Sequence, residues 1–279
     1  MSDRIVCDNI IEVNKLCCRV GKKYLLKDIS WSVKPGEHWT IFGLNGSGKT
    51  TLLSILAGYK MQTDGTLKVF GESYNDDNLL AFRQRIGLVS ASCFDRYYRE
   101  ESALQIVLSG LFGTLGLDFD ISDENVKYAK KLLGRVGLGE KVEQSYASMS
   151  KGERESVLIA RALISNPEIL ILDEPCSGLD VTARDRMLNT VEDLARQGKM
   201  TIIYVTHYAE EVLDCFENAL LLRNGKIYKK GISSEIFTAQ CMSAFLNTEI
   251  EVKKDECGRL TIFTPDEQKI ELYEGGELA

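Results

Sequence analysis

The sequence holds only two histidines, His38 and His207, and none of its eight cysteines forms a Cys-x-x-Cys pair. A zinc site or a disulfide framework is therefore not expected. Cys7, Cys17, Cys18, Cys93, Cys176, Cys215, Cys241 and Cys257 read as reduced, mostly buried thiols. Cys17 and Cys18 are adjacent on an expected strand and should point to opposite faces. No run of 18 apolar residues occurs, so no segment is expected to span a membrane. Residues Met1 to Val6 lack the apolar core of a signal peptide, which points to the cytoplasm. A basic surplus is missing as well. The net charge of −7 argues against a nucleic-acid platform. There is no internal repeat and no low-complexity tract. What remains is 279 residues, 44% hydrophobic and 27% charged, with material for one large domain or a domain with a lobe.

Against that background one stretch stands out. Gly43-Leu44-Asn45-Gly46-Ser47-Gly48-Lys49-Thr50-Thr51 has two glycines five apart followed by Lys and Thr, the phosphate-loop pattern. The apolar run Trp39–Phe42 precedes it. A helical pattern, Leu52 to Ala57, follows and is stopped by Gly58. Strand, glycine loop and helix form the context this motif needs. Glycines let backbone N–H groups turn toward phosphates, and the helix N-terminus adds partial positive charge. Lys49 is placed to reach the β- and γ-phosphates and Thr50 to hold Mg²⁺.

The pattern along the chain is mixed α/β. Residues Ile10 to Leu26 read as strand with a turn at Gly21-Lys22-Lys23, and Ile29–Val33 alternates as a half-buried strand does. Thr66–Phe70 and Ile86–Ser90 read as further strands. From about 95 to 148 the pattern is mainly helical, which suggests a lobe inserted into an α/β core. A helix then ends at Asn166-Pro167. The buried runs Ile169–Leu172 and Thr201–Val205, separated by a helix, imply a mostly parallel sheet. The tail from Ile232 reads as a short helix followed by three alternating segments, around Glu249–Val252, Arg259–Phe263 and Ile270–Leu272, in a small antiparallel appendage.

Asp173-Glu174 ends the apolar run Ile169–Leu172, which puts two carboxylates at the carboxyl end of a parallel sheet, where ligands bind. Asp173 can hold Mg²⁺ through water, and Glu174 can polarise an attacking water. Ser150-Lys151-Gly152-Glu153 reads as a capping box and, equally, as an anion site at a helix N-terminus. His207 follows Thr201–Val205, so it too falls at the carboxyl end of the sheet. His38, before a core strand, reads as structural.

The order of these motifs resembles the nucleotide-binding subunit of ATP-binding-cassette (ABC) transporters over roughly residues 10–230. Gly43–Thr50 is similar to the family's Walker A motif. Met149-Ser150-Lys151-Gly152-Glu153 resembles its signature and Ile169–Glu174 its Walker B motif with the catalytic glutamate. Ser177-Gly178-Leu179-Asp180 resembles the D-loop, and Thr206-His207 the switch histidine. The resemblance implies a P-loop NTPase of ABC type, with a β-rich subdomain, an inserted helical lobe at about 92–150 and a small C-terminal β appendage. The ATPase domain would span 1–231 and the extension 232–279. It implies Mg²⁺ and ATP held between two head-to-tail subunits, with Ser150, Gly152 and Asp180 serving the nucleotide alongside Gly43–Thr51. Glu174, His207 and Lys49 would carry hydrolysis, and Thr50 and Asp173 would hold the metal. Integral membrane subunits would dock on the lobe, so the chain would sit on the inner face of the cell membrane. The lobe is similar to importer ATPases. A soluble ABC-type switch acting on a ribosome or other soluble partner is the alternative.

Two positions depart from the family. The aromatic expected over adenine falls at Val20, with Tyr24 nearby. The glutamine expected after Ile86–Ser90 is Ala91. Of the flanking serines, Ser92 lies in the loop and is the better substitute; Ser90 ends the buried strand.

Overall fold

The computed structural model describes residues 8–98, 100–116, 120–255 and 258–265. It opens on a hairpin, β1 (Ile11–Val20) and β2 (Lys23–Val33). The two chain segments turn at Gly21, whose φ of 58° suits glycine. The expected strand at Ile29–Val33 is the second half of one continuous β2. The alternation breaks at Lys27-Asp28 because Asp28 takes φ 55° and the β1–β2 register shifts between Leu16 and Cys18. A bulge of this kind restores the inward face, so Leu26, Ile29, Trp31 and Val33 are all buried. Cys18 joins the main core, while Cys17 turns to Asp28, whose N–H donates to its Sγ at 3.3 Å. β4 (Asp64–Val69) pairs with the other edge of β1 and completes a three-stranded antiparallel sheet.

The second sheet has six strands. They are β3 (Trp39–Phe42), β5 (Ile86–Val89), β6 (Ile169–Asp173), β7 (Thr201–Thr206), β8 (Asn218–Arg223) and β9 (Lys226–Ile232), in the order β5-β6-β7-β3-β8-β9. All pairs are parallel except β8–β9. The parallel strands β3, β5, β6 and β7 are buried along their whole length, which explains their largely apolar runs. The β8–β9 hairpin went unread in the sequence, although Asn224-Gly225, both at positive φ, is the dipeptide that two-residue hairpins favour.

The helices are α1 (Lys49–Leu56), α2 (Leu79–Arg85), α3 (Ala91–Phe94), α4 (Ala103–Ser109), α5 (Asp123–Arg135), α6 (Lys151–Leu163), α7 (Val181–Arg196), α8 (Ser233–Ile236) and α9 (Ala239–Leu246). The lobe is less helical than its apolar stripes imply: α4 and α5 are well capped, but connections fill much of the rest. Gly110 lets α4 approach α6, since a Cβ there would lie 2.2 Å from the Arg161 carbonyl oxygen. Arg161, buried on α6, binds back to the lobe through Ser109 Oγ at 3.3 Å and Thr114 O at 2.8 Å.

The C-terminal pair β10 (Glu251–Lys254) and β11 (Leu260–Phe263) is antiparallel, as expected. With α8 and α9 it shares a small second core, in which Phe237 meets Phe42 of β3 edge-on at 5.6 Å. The third expected segment, Ile270–Leu272, lies outside the described residues. Among the described residues no helix is long and apolar enough to cross a membrane, and Cys17, Cys18, Cys93, Cys176, Cys215 and Cys241 are free thiols.

Candidate active site

β3 is the inner strand from which the glycine loop leaves the sheet, with β7 on one side and β8 on the other. The loop is packed tightly from both sides. A Cβ at Gly48, where φ is 108°, would lie 2.9 Å from the Leu25 carbonyl oxygen; one at Gly43 would lie 2.5 Å from that of Leu222. Lys49 begins α1 and is 4% exposed. Its ammonium donates to Gly43 O at 2.6 Å and Leu44 O at 3.3 Å and sits 3.0 Å from Glu174 Oε1. The Ser47 hydroxyl is buried and has no hydrogen-bond partner among the described residues. Asn45, Gly46, Gly48, Lys49, Thr50 and Thr51 all face one cleft of about 740 Å³.

β6 delivers Asp173 to this cleft. Its Oδ2 accepts from Ser90 Oγ at 2.8 Å and Ser92 Oγ at 3.4 Å, and its Oδ1 from Thr50 Oγ1 at 3.5 Å. Burial raises the Asp173 pKa, and the Ser90 and Thr50 hydroxyls oppose that rise. Of the two serines, Ser90 is fully buried and makes the shorter bond to Asp173, while Ser92 lines the cleft itself, 2.9 Å from Ser90 Oγ. Ending a buried strand is what aims Ser90 at its neighbour strand's carboxylate. Ala91 lines the cleft without a polar group.

Glu174 sits at φ 52°, an uncommon backbone for a non-glycine residue that costs on the order of 1 kcal/mol. Its N–H donates to Val205 O at 2.9 Å, which fixes the turn. The carboxylate then spans two partners: Oε1 faces Lys49 and Oε2 lies 3.2 Å from His207 Nδ1. That nitrogen is buried and makes no aligned hydrogen bond among the described residues, so the contact is one of proximity.

The remaining expected residues lie elsewhere. Val20 ends β1, is 63% exposed and stands outside the cleft lining, which Tyr24 does join. Lys27 Nζ lies 5.3 Å from the Tyr24 ring centroid. Ser150 caps α6 in a full capping box with Glu153, and Asp180 caps α7 by accepting from Ala183 N at 2.8 Å. Ser150 and Gly152 border a different hollow, beside Leu179. Of the signature stretch, only Lys151 reaches the Lys49 cleft, its ammonium 3.5 Å from Ser177 Oγ.

Sequence reasoning missed Glu155. It is 2% exposed, lines the same cleft, and its Oε2 has no hydrogen-bond partner among the described residues. Its position three residues before Leu158 and seven before Ala162, both on the buried face of α6, was the available signal. Burial pushes its carboxyl up to about 8; Asp95 and Asp173 add to the rise and Lys151 opposes it. An acid raised on folding binds more protons in the folded chain, so its contribution to stability falls as pH rises from 4.5 toward 8. Glu155→Gln removes this loss. It should stabilise the protein by about 2–4 kcal/mol at pH 8, a few °C in melting temperature, and much less at pH 5. Thermal melts at the two pH values test this; an equal or negative shift at pH 8 would contradict it.

The comparisons with known proteins agree with this geometry. The family model described as ABC transporter matches residues 26–177. The chain is 41% identical over 245 residues to the uncharacterized ABC transporter ATP-binding protein YlmA of Bacillus subtilis (strain 168), covering 87% of this chain and 93% of that one. It superimposes on a putative metal-chelate type ABC transporter in an inward-facing conformation with a TM-score of 0.73 at 25% identity, over 92% of this chain and 97% of that one. A bacterial ABC transporter cassette solved as a dimer gives a TM-score of 0.69 at 26% identity, over 80% and 98%. With a phosphate loop and a carboxylate pair on one cleft, and a histidine against one of those carboxylates, this chain belongs to the ABC transporter family as an ATP-binding subunit with ATPase activity.

Proposed function

We propose that Glu174 is the base of ATP hydrolysis, that Lys49 and the 43–51 loop hold the phosphates, and that His207 reads the γ-phosphate. The observation that carries this reading is the bridge Lys49–Glu174–His207, in which one carboxylate touches both the loop lysine and the histidine. A phosphate that draws the Lys49 ammonium away from Gly43 O and Glu174 frees that carboxylate to orient water. The buried Ser47 hydroxyl, a donor lacking an acceptor among the described residues, suits a phosphate oxygen.

Mg²⁺ fits the oxygen donors gathered around Asp173. A buried carboxylate with Thr50, Ser90 and Ser92 hydroxyls against it offers the hard ligands this ion prefers. The ion would neutralise charge on the β- and γ-phosphates; Thr50 and Asp173 would hold it. Ser90→Ala should therefore lower turnover more than ATP affinity, and more than Ser92→Ala does. Steady-state ATPase and separate binding titrations on both variants check this. A larger loss in Ser92→Ala would make Ser92, on α3, the principal partner.

For adenine, Tyr24 is the aromatic residue that lines the cleft. Tyr24→Ala should weaken ATP by about 2- to 10-fold, the worth of an aromatic contact, with Val20→Ala near neutral. Fluorescent-nucleotide competition on the two variants tests the assignment, and the reverse ranking would return the role to Val20.

Ser150, Gly152 and Asp180 stand away from Lys49 within one chain, which suits nucleotide held between two head-to-tail copies. We assign residues 1–231 to the ATPase unit and 232–279 to an extension. The chain would work on the inner face of the cell membrane, with separate membrane subunits on the α4–α5 lobe, and its likeness to importer ATPases favours uptake. Purification from detergent-solubilised membranes is the test. An integral protein recovered in stoichiometric amount supports transport. Recovery on ribosomes would favour the soluble switch.

A further inference from the structure

Beside His207, two buried hydroxyls converge on a single carboxylate. Glu211 lies in the short turn Ala209–Glu211 and is 2% exposed. Its Oε2 accepts from Thr206 Oγ1 at 2.6 Å and from Tyr204 OH at 3.0 Å. The Thr206 hydroxyl in turn accepts from Tyr208 N at 2.9 Å. A hydroxyl has one proton, so the carboxylate fixes its direction: the Thr206 proton points at Glu211 and its lone pairs face the Tyr208 N–H. Glu211 thereby holds the residues on both sides of His207.

The second arm runs toward Glu174. With its own proton on Glu211, the Tyr204 phenol oxygen is left as an acceptor, and Cys176 Sγ lies 3.4 Å from it. The thiol then donates to the phenol, and Cys176 sits two residues after Glu174. Phe216, stacked on the Tyr204 ring at 5.3 Å, keeps that ring in place. No part of this arrangement touches the 740 Å³ cleft directly; Tyr204, Thr206 and Glu211 are all outside its lining.

We propose that Glu211 is a positioning residue for hydrolysis: it sets the direction of His207 through Thr206 and Tyr208, and steadies the Glu174–Cys176 segment through Tyr204. The inference rests on the assignment of His207 and Glu174 to the nucleotide. Removing the carboxylate leaves the Thr206 and Tyr204 protons undirected in a buried site, and the His207 ring loses its fixed relation to Glu174.

The two histidines make this measurable, because ring-¹⁵N-labelled protein gives resonances from His207 and His38 only. His38 is held independently, its Nδ1 accepting from Ile202 N at 3.2 Å, and serves as internal reference. In Glu211→Ala and in the isosteric Thr206→Val, the His207 ring resonances should shift while those of His38 stay. In the same variants kcat should fall about tenfold or more with KM for ATP within about twofold, as small misplacements near reacting groups do. Thr206→Ser keeps the hydroxyl and should restore both readouts. If Glu211→Ala does not fold, Thr206→Val against Thr206→Ser decides. Unshifted His207 resonances in the folded variants would overturn the proposal. So would His38 moving along with His207, or a loss that Thr206→Ser does not recover. Normal hydrolysis by His207→Ala is a separate result, which would strike the role of His207 itself while leaving the resonance test of its positioning readable.

Discussion

Lys49→Ala is expected to remove tight ATP binding, with affinity falling by about 30- to 1000-fold. Lys49 is 4% exposed, and its ammonium already lies among the carbonyls of Gly43 and Leu44. A phosphate entering the loop meets this single buried cation, and charge-assisted hydrogen bonds of this kind are worth roughly 2–4 kcal/mol when one partner is deleted. The backbone N–H groups and the α1 N-terminus remain, so some phosphate affinity should persist. The same substitution leaves Glu174 without the partner 3.0 Å away. Lys49→Arg keeps the charge, but a planar fork cannot reproduce the compact ammonium held between the Gly43 and Leu44 carbonyls, and it should recover only part of the affinity. Calorimetric titration with ATP measures both. An alanine variant with near-normal affinity would take the loop out of its assigned role.

Glu174→Gln should give the opposite split. It keeps the size of the side chain and removes the charge that would orient water, so ATP binds while turnover falls by about 10²- to 10⁴-fold. Glutamine at 174 also lacks the charge that faces Lys49 and His207, so the bridge between them is weakened. A subunit that binds but does not hydrolyse should accumulate with nucleotide between two copies. Size-exclusion chromatography with ATP and Mg²⁺ should then show a dimer peak that is transient or absent in the unsubstituted protein. Normal hydrolysis by a variant that stays monomeric would sink both the base assignment and the shared site.

Much of this site was legible because local chemistry dictates it. Glycine spacing and the flanking apolar run mark the 43–51 loop, since only glycine tolerates φ 108° with a carbonyl 2.9 Å from where a Cβ would sit. Asp173 and Glu174 were legible because a buried parallel strand has to end, and polar residues there meet the ligand side of the sheet. His207 followed from the same rule on β7. The capping box at Ser150 and the antiparallel pair β10–β11 likewise depend on neighbours close in sequence.

What stayed hidden shares a cause. An apolar run says that Ser90 is buried, not which strand lies next to it. β5 pairs with β6, and that pairing turns burial into a 2.8 Å bond to Asp173. Glu155 reads as one of several charges on an amphipathic helix until α6 is packed against β5 and α4. The β2 bulge at Asp28 was hidden because its partner, the β1 register shift, lies a hairpin away. Sequence alone therefore determined the phosphate loop, the strand-end carboxylates and the mostly parallel α/β core, which arise from spacing and periodicity within short windows; the cassette architecture came from the resemblance that the order of motifs carries. Only the tertiary structure decided that β7 lies between β6 and β3, that one carboxylate at Glu174 meets both Lys49 and His207, and that Tyr24 rather than Val20 faces the cleft. Those relations depend on strand order and register, which join residues far apart in the chain and leave no periodic trace in either partner.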